Sequence, residues 1–420
     1  MRICIVAEHA SFRFGGEAVI PLHYFSGLRA AGEDVWLVIH SRTRDEMEKL
    51  YPDAMDHMRF VSDMWLHKAL LQASRPLPRR VAGATVGLLS HLLTQWLQRK
   101  VVRRLVAEKS IDVIHQPTPV SPRFPSLMTN MGAPLVIGPM NGGMDYPQAF
   151  RRAESRLSQM SIHYARALSN WINYVLPGKR LASVLLVANE RTRLALPSPV
   201  TGRVIELPEN GVDFATWSAP EATETARPRG RFVFIGRLVD WKGVNMAIEA
   251  VARIPDAELE IVGNGPMLEA WRALAERLGV AGRVSFPGWL SQAECSQRLR
   301  NATALVLPSI YECGGAVVLE AMAVGIPAIA TRWGGPEDYL RADCGFLVEP
   351  TSREGLIDGF AAAMRTLISN PELAVRMGAA GRARVEEHFN WKRKIDRILE
   401  IYRETLPIAA VKDRDLSVVS

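Results

Sequence analysis

The sequence predicts an α/β protein of two parallel-sheet domains, and three observations carry that prediction. The chain has 420 residues, a length at which one hydrophobic core usually gives way to two. Short apolar runs alternate with segments of helical periodicity, which is the βαβ rhythm of a parallel sheet. A stretch rich in Pro, Ala and Glu, residues 218–230, follows the turn signal Asn210-Gly211 and separates two such series.

In the first series, Arg2 to Ala7 and Asp34 to Ile39 read as strands. Ala18 to Ala31 between them reads as a helix that Gly32 is placed to end. Val113-Ile114-His115, Leu135-Val136-Ile137 and Val184-Leu185-Leu186-Val187 read as further buried strands. The loop after the first strand carries Phe14-Gly15-Gly16-Glu17. Two glycines there admit a ligand close to the backbone, and the helix N-terminus behind them favours an anion. A bare Gly-Gly pair has little specificity by itself. Gly138-Pro139-Met140-Asn141-Gly142-Gly143 forms the loop after a later strand.

The second series opens with the strand Phe232-Val233-Phe234-Ile235, followed by Gly236-Arg237-Leu238-Val239-Asp240-Trp241-Lys242-Gly243. Two cations five residues apart on a loop before a helix can clamp a diphosphate from both sides. They can also be two solvated surface charges. Leu259 to Val262 reads as a strand ending in Gly263-Asn264-Gly265-Pro266. A dinucleotide fingerprint needs a third glycine, and Leu268 stands in its place, so an oxidoreductase reading loses its main support. Trp289 is expected as a packing aromatic, with stacking on a nucleotide base as the alternative.

The most informative stretch is Glu312-Cys313-Gly314-Gly315-Ala316-Val317-Val318-Leu319-Glu320. The apolar run Ala304 to Leu307 before it reads as a buried strand ending at Pro308, and the run after Gly315 as a helix. Backbone N–H groups around Gly314 to Val317 would then stand free at a helix N-terminus, a natural phosphate site. A carboxylate beside a bound diphosphate repels it, so these acids suit hydroxyl groups of a ribose or a sugar. The plainer reading is an N-cap acid and an ordinary helix glutamate.

Two acids with seven residues between them, after an apolar strand and before a small-residue helix, resemble the paired-glutamate motif of retaining glycosyltransferases of family 4. The resemblance is dense from about Pro208 to Pro350 and weaker before that. It implies the GT-B fold: two doubly wound Rossmann-like domains facing across a cleft. Residues 1–207 would form the acceptor-side domain, residues 208–388 the nucleotide-sugar domain, and a helix over 389–405 would cross back onto the first. It implies that Arg237 and Lys242 hold the donor diphosphate, that Glu312 lies by the donor sugar, and that Glu320 binds the ribose. Gly314, Gly315, Ala316 and Val317 would face the phosphates, Gly263 and Gly265 would pack close to the nucleotide, and Gly15 and Gly16 would face donor phosphates and acceptor. His115 would stand near the reacting centre or, equally, be a satisfied structural histidine, and Asn141 and Gly142 would contact the acceptor. Two departures are visible: Gly314 stands where the family often has an aromatic, and Pro117 where many members have a histidine.

The chemistry implied is breakage of a glycosyl–phosphate bond, with Arg237, Lys242 and the helix N–H groups stabilising the departing charge. No Asp-x-Asp string is placed to hold a metal, so neither metal nor cofactor is expected beyond the nucleotide-diphospho sugar as co-substrate. A sugar-nucleotide epimerase of GT-B fold and a non-catalytic nucleotide-sugar-binding subunit are the competing readings.

Hydrophobic and charged contents of 48% and 23% are ordinary for a globular enzyme. The 4 cysteines are scattered, which supports neither a disulfide framework nor a zinc site. The apolar stretch Ile3 to Ala7 is too short for a signal-peptide core, so a cytoplasmic protein is expected. Net charge is +7, unevenly placed: residues 64–107 hold Lys68, Arg75, Arg79, Arg80, Arg99, Lys100, Arg103 and Arg104 and no acid until after Ala107. Leu88, Leu89, Leu92, Leu93, Trp96 and Leu97 fall on one helical face of that window. A basic amphipathic helix suits the anionic inner face of a membrane and a lipid-linked acceptor; a polysaccharide acceptor is what the family resemblance implies. The same pattern fits a core-facing helix with a basic solvated side. Interleaved stacking aromatics are missing, so no nucleic-acid partner is expected.

Overall fold

The structure is a computed structural model that describes residues 1–13, 16–74, 83–151, 168–219 and 229–406. Most of the linker 218–230 and the tail 407–420 lie outside the described residues. The chain forms two compact units. One contains Met1–Gly143, Ser155–Glu209 and Lys392–Ser420; the other contains Met144–Glu154 and Asn210–Trp391.

The first unit holds a seven-stranded, wholly parallel sheet in the order β3-β2-β1-β4-β5-β6-β7. Its strands are β1 (Arg2–Val6), β2 (Asp34–His40), β3 (Met58–Val61), β4 (Val113–Gln116), β5 (Leu135–Met140), β6 (Val184–Val187) and β7 (Arg203–Glu206). The central strands β4, β5 and β6 are buried at every residue, because helices cover both faces of a parallel sheet. The helix Gly16–Ala30 ends as expected at Gly32, whose φ of 85° suits a residue without Cβ.

The last described helix, Trp391–Thr405, belongs to this first unit from Lys392 onward. It packs on the helix Gly16–Ala30 at Gly27, where an added Cβ would stand 2.6 Å from Ile395 Cγ1. The buried Lys394 ammonium donates to the Glu209 carbonyl at 2.9 Å, and burial pushes its pKa down to about 7.

The second unit holds a six-stranded parallel sheet in the order β10-β9-β8-β11-β12-β13. Its strands are β8 (Arg231–Ile235), β9 (Glu258–Val262), β10 (Val284–Gly288), β11 (Ala304–Leu307), β12 (Ala328–Thr331) and β13 (Gly345–Val348). In both units the strand order reverses at the centre, between β1 and β4 and between β8 and β11. Open α/β sheets bind ligands beyond the carboxyl ends of the two strands that flank such a switch point. This fixes where a site in each unit is to be sought.

The helix Leu88–Lys109 joins the apolar core through Val102 and Leu105 in its second half, while Leu88, Leu92, Leu93 and Leu97 are half-buried. Its buried side is polar at its first half: His91, Thr94, Gln95 and Gln98. These groups are satisfied inside the unit. His91 Nδ1 lies 2.6 Å from a Glu8 carboxylate oxygen, and Gln98 donates to the Ala7 carbonyl at 2.6 Å. At about 100° per residue the leucine face lies on the other side, where Leu89 and Trp96 are exposed by 53% and 43%. Lys100, Arg103 and Arg104 are exposed one to two turns further along that same side. Arg75, Arg79 and Arg80 lie outside the described residues.

Candidate active site

The switch point of the second unit gathers the residues that the sequence singles out. β8 runs into the loop that carries Arg237 and Lys242, and β11 into the loop that carries Glu312. Lys242 Nζ forms a salt bridge with Glu312 Oε2, and the pair is largely buried at 17% and 11% side-chain exposure. The Ser309 hydroxyl donates to the same carboxylate oxygen at 3.2 Å. Backbone contacts tie the two loops together: the Ile310 N–H donates to the Trp241 carbonyl at 2.9 Å. Gly243, at φ 64°, lies so close to Pro308 that a Cβ would stand 2.3 Å from its carbonyl oxygen. Arg237 is exposed and makes no ion pair or side-chain hydrogen bond among the described residues.

Glu312 leads into the helix Ala316–Ala323, capped by Gly315 in the left-handed region at φ 75°. An added Cβ on Gly315 would meet Glu312 Cγ at 3.1 Å, so the Glu312 side chain lies over the start of this helix. The N–H groups of Ala316 and Val317 precede the first intrahelical bond and carry the positive end of the helix dipole. Glu320 sits one turn further in. Burial pushes its carboxyl up to about 7, although the residue keeps a partial opening to solvent. A carboxyl held in that state gains by accepting hydroxyl hydrogen bonds, which favour its ionised form.

Several glycines have a cause other than a ligand. An added Cβ on Gly263 would stand 2.0 Å from the Gly236 carbonyl oxygen, and one on Gly265 2.3 Å from that of Leu238. The Leu238 N–H donates to the Asn264 carbonyl at 3.0 Å. The loops after β8 and β9 thus pack backbone against backbone, and the glycines set the position of Arg237. Trp289, expected to pack, is 74% exposed.

In the first unit Gly15 lies outside the described residues. Gly16 opens its helix into free space, with nothing within 4 Å of an added Cβ. Glu17 beside it accepts the Val120 N–H at 2.8 Å, and the Asn141 N–H donates to the Val120 carbonyl at 2.8 Å, so the loops after β1, β4 and β5 are laced together. Asn141 is buried at 4% exposure, and a Cβ on Gly142 would stand 2.6 Å from Pro122 Cδ. Both residues shape this loop from within.

His115 needs correction as a catalytic candidate. It is fully buried in β4, its Nε2 donates to the Gly138 carbonyl at 2.6 Å, and its Nδ1 accepts the Tyr402 hydroxyl at 2.6 Å. Desolvation pushes its pKa down to about 4, so the ring is neutral at physiological pH. With both nitrogens engaged, His115 fastens the last helix to the sheet and has no free face for substrate.

The sequence reading missed Trp333, Gly334 and Gly335, on the loop after β12. The Gly335 N–H donates to the Glu312 carbonyl at 2.9 Å. A Cβ on Gly335 would stand 1.8 Å from the Gly314 carbonyl oxygen, and one on Gly334 2.1 Å from that of Glu312. This loop clamps the Glu312 turn from outside. The Gly-Gly pair before Pro336 was the available signal. Among the described residues no group of three or more His, Cys, Asp or Glu could hold a metal ion.

Comparison with known proteins agrees with this geometry. The family described as "Glycosyl transferases group 1" matches residues 217–384. The chain is 33% identical over 231 residues to a GDP-mannose-dependent alpha-(1-6)-phosphatidylinositol monomannoside mannosyltransferase of Mycolicibacterium smegmatis, across 50% of this chain and 59% of that protein. It is 25% identical over 437 residues to an MMP alpha-(1->4)-mannosyltransferase of Mycolicibacterium hassiacum, across 97% and 98% of the two chains. The first curated relatives are matched over only 59%, 54% and 47% of their own length. The fold is that of Anabaena Alr3699/HepE, solved in complex with UDP, with a TM-score of 0.66 at 17% identity over 96% of this chain and 100% of that one. Residues 217–384 thus match the glycosyl transferases group 1, and the two parallel-sheet units have the GT-B fold.

Proposed function

We propose that the protein moves a sugar from a nucleotide-diphospho sugar to an acceptor hydroxyl with retention of configuration. The observation that carries this is the meeting of Lys242 and Glu312, from the two strands that flank the second unit's switch point, at the start of the helix Ala316–Ala323. A diphosphate placed there takes up Lys242, Arg237 and the N–H groups of Ala316 and Val317. Negative charge grows on it as the glycosyl bond breaks, so donors already fixed in place stabilise departure more than binding. With Lys242 engaged by phosphate, the Glu312 carboxylate can accept a hydroxyl of the transferred sugar. The departing phosphate then takes the acceptor's proton on the same face of the ring. Two of the similar proteins named above are mannosyltransferases by name, one of them of phosphatidylinositol monomannoside. This supports a saccharide or lipid-linked acceptor.

The test is a thermal-shift screen against nucleotide sugars, followed by a transfer assay with the best donor. A ligand at a hundred times its Kd adds about 2.7 kcal/mol of stability. An α-linked product from an α-linked donor supports the reading; an epimerised donor, or binding with no transfer, overturns it. Because fixed cations and a helix terminus supply the charge, excess chelator is expected to leave initial rates within about twofold. Complete loss restored by magnesium or manganese would reject the metal-independent mechanism.

The outward leucine face of the helix Leu88–Lys109 supports work at an anionic membrane surface. No helix among the described residues is long and apolar enough to cross a membrane, so surface binding is the relevant mode. Lys100 stacks its ammonium 3.6 Å over the Trp96 ring, which joins the apolar and basic parts of that face. Arg99 is half-buried and holds the Leu127 carbonyl, so it is better left intact. Reversal of Lys100, Arg103 and Arg104 to Glu is expected to release the protein from anionic liposomes. Each basic residue at such a surface contributes about 1 kcal/mol, so partitioning should fall by at least about a hundredfold. Equal partitioning of variant and wild type would reject membrane docking by this helix.

A further inference from the structure

The second unit includes a short piece of chain that precedes the rest of it by more than fifty residues. After Gly143, at φ 72°, the chain joins the second unit through Met144–Glu154. This piece seats on the two loops that fix Glu312. The Asp145 carbonyl accepts the Trp333 indole N–H at 2.8 Å. Met144 packs its sulfur against Gly334, where an added Cβ would stand 2.6 Å away. The Tyr146 ring lies 5.0 Å from that of Tyr311, the residue before Glu312, at an interplanar angle of 38°. Phe150 anchors the far end against the core of the second unit, and Arg151 Nε donates to the Tyr146 carbonyl at 3.1 Å.

We propose that residues 144–150 are a strap that positions Glu312 for sugar transfer, with Tyr146 as its principal positioning residue. The strap touches the Glu312 turn from two independent directions. Tyr146 bears on Tyr311 at the entry of the turn. Met144 and Asp145 bear on Trp333 and Gly334, and the adjoining Gly335 N–H holds the Glu312 carbonyl. A turn held at both ends keeps one side-chain orientation, and transfer requires the Glu312 carboxylate to stay aligned with the donor sugar. Arg237 and Lys242 lie on the loop after β8 and Glu320 inside the helix Ala316–Ala323, away from the turn that the strap holds, so nucleotide diphosphate affinity is expected to change little with it. The inference rests on the glycosyltransferase reading for its effect on turnover, but not for its effect on the turn.

The test uses the full chain and three variants: Tyr146→Ala, Tyr146→Phe and Trp333→Phe. Amide hydrogen exchange over residues 309–317 reads the turn directly. Turnover with the donor found by screening reads the consequence, and calorimetry with nucleotide diphosphate reads the rest of the site. Tyr146→Ala is expected to speed exchange in 309–317 by at least about tenfold and to lower kcat by a similar factor, with nucleotide diphosphate affinity within about twofold. Tyr146→Phe keeps the ring and should behave as wild type in all three. Trp333→Phe removes only the indole donor and should show the same pattern as Tyr146→Ala, more weakly, which covers the case in which Tyr146→Ala fails to fold. Unchanged exchange in 309–317 in Tyr146→Ala and Trp333→Phe overturns the strap, as does changed exchange with wild-type kcat. A wild-type protein inert with every nucleotide sugar counts against the transferase reading, and exchange alone then decides whether the strap holds the turn.

Discussion

Arg237→Ala and Lys242→Ala are each expected to lower turnover by about two to three orders of magnitude, the usual cost of removing one donor to developing charge, about 2.7–4 kcal/mol of barrier. The two variants should differ in stability. Arg237 is exposed and unpaired among the described residues, so its loss leaves nothing stranded. Lys242 is the counter-ion of a largely buried Glu312, and its removal leaves that carboxylate with only the Ser309 hydroxyl and the helix start. Breaking one side of a buried pair costs more than the pair contributes, because the remaining charge is uncompensated. Lys242→Ala should therefore lower Tm, Arg237→Ala should not, and adding Glu312→Ala to Lys242→Ala should recover part of the loss. Steady-state kinetics and a melting curve decide this. Near-normal turnover in both single variants would show that the loop after β8 does not hold the leaving group.

The sequence exposed the parts of the fold whose physics is local. β6 and β11 are buried along their whole length and leave unbroken apolar runs, Val184-Leu185-Leu186-Val187 and Ala304-Leu305-Val306-Leu307. The edge strands β3 and β7 have charged residues among few apolar ones, so Met58-Arg59-Phe60-Val61 and Arg203-Val204-Ile205-Glu206 passed unread. The site divides in the same way. Arg237, Lys242 and Glu312 are legible because each follows a recognisable strand on a glycine-bearing loop, and Glu320 because it lies on the helix that the Glu312 loop opens. Gly334, Gly335 and residues 144–150 act on Glu312 by backbone proximity across large separations in sequence, which leaves no local pattern.

Residue type shows what a group can do, while burial decides whether it does it. His115 has catalytic chemistry but spends both nitrogens inside β4. Gly263 and Gly265 signal a close approach, and the approach is by Gly236 and Leu238. The helix Leu88–Lys109 has its leucines on one face as the periodicity indicated, yet the buried face is the one with His91, Thr94, Gln95 and Gln98. Periodicity alone fixes which residues share a face and is silent on which face turns inward.

Glu312 and Glu320 are expected to separate by role in nucleotide diphosphate titrations. Glu320→Ala removes an acceptor for a ribose hydroxyl, and a hydrogen bond to a charged group contributes about 1.5–3 kcal/mol, so affinity should fall by roughly ten- to a hundredfold. Because burial holds the Glu320 carboxyl at about 7, the wild-type affinity should also depend on pH. A hydroxyl donates far more strongly to the ionised form than to the carbonyl oxygen of the protonated one. Affinity should therefore rise from pH 6 to pH 8 and level off above, by up to about tenfold per unit on the acid side. Glu320→Gln, which cannot ionise, should lose this dependence and leave only the titration of the nucleotide's own phosphate. Glu312→Ala should behave differently. Its carboxylate pairs with Lys242, so removing it frees a cation for the diphosphate, and affinity should be unchanged or tighter while turnover collapses. Calorimetry across the pH range, with turnover measured on the same preparations, separates the two. Loss of nucleotide affinity in Glu312→Ala together with lost turnover alone in Glu320→Ala would mean that the motif faces the donor in the reverse sense, with the first glutamate at the ribose and the second at the sugar.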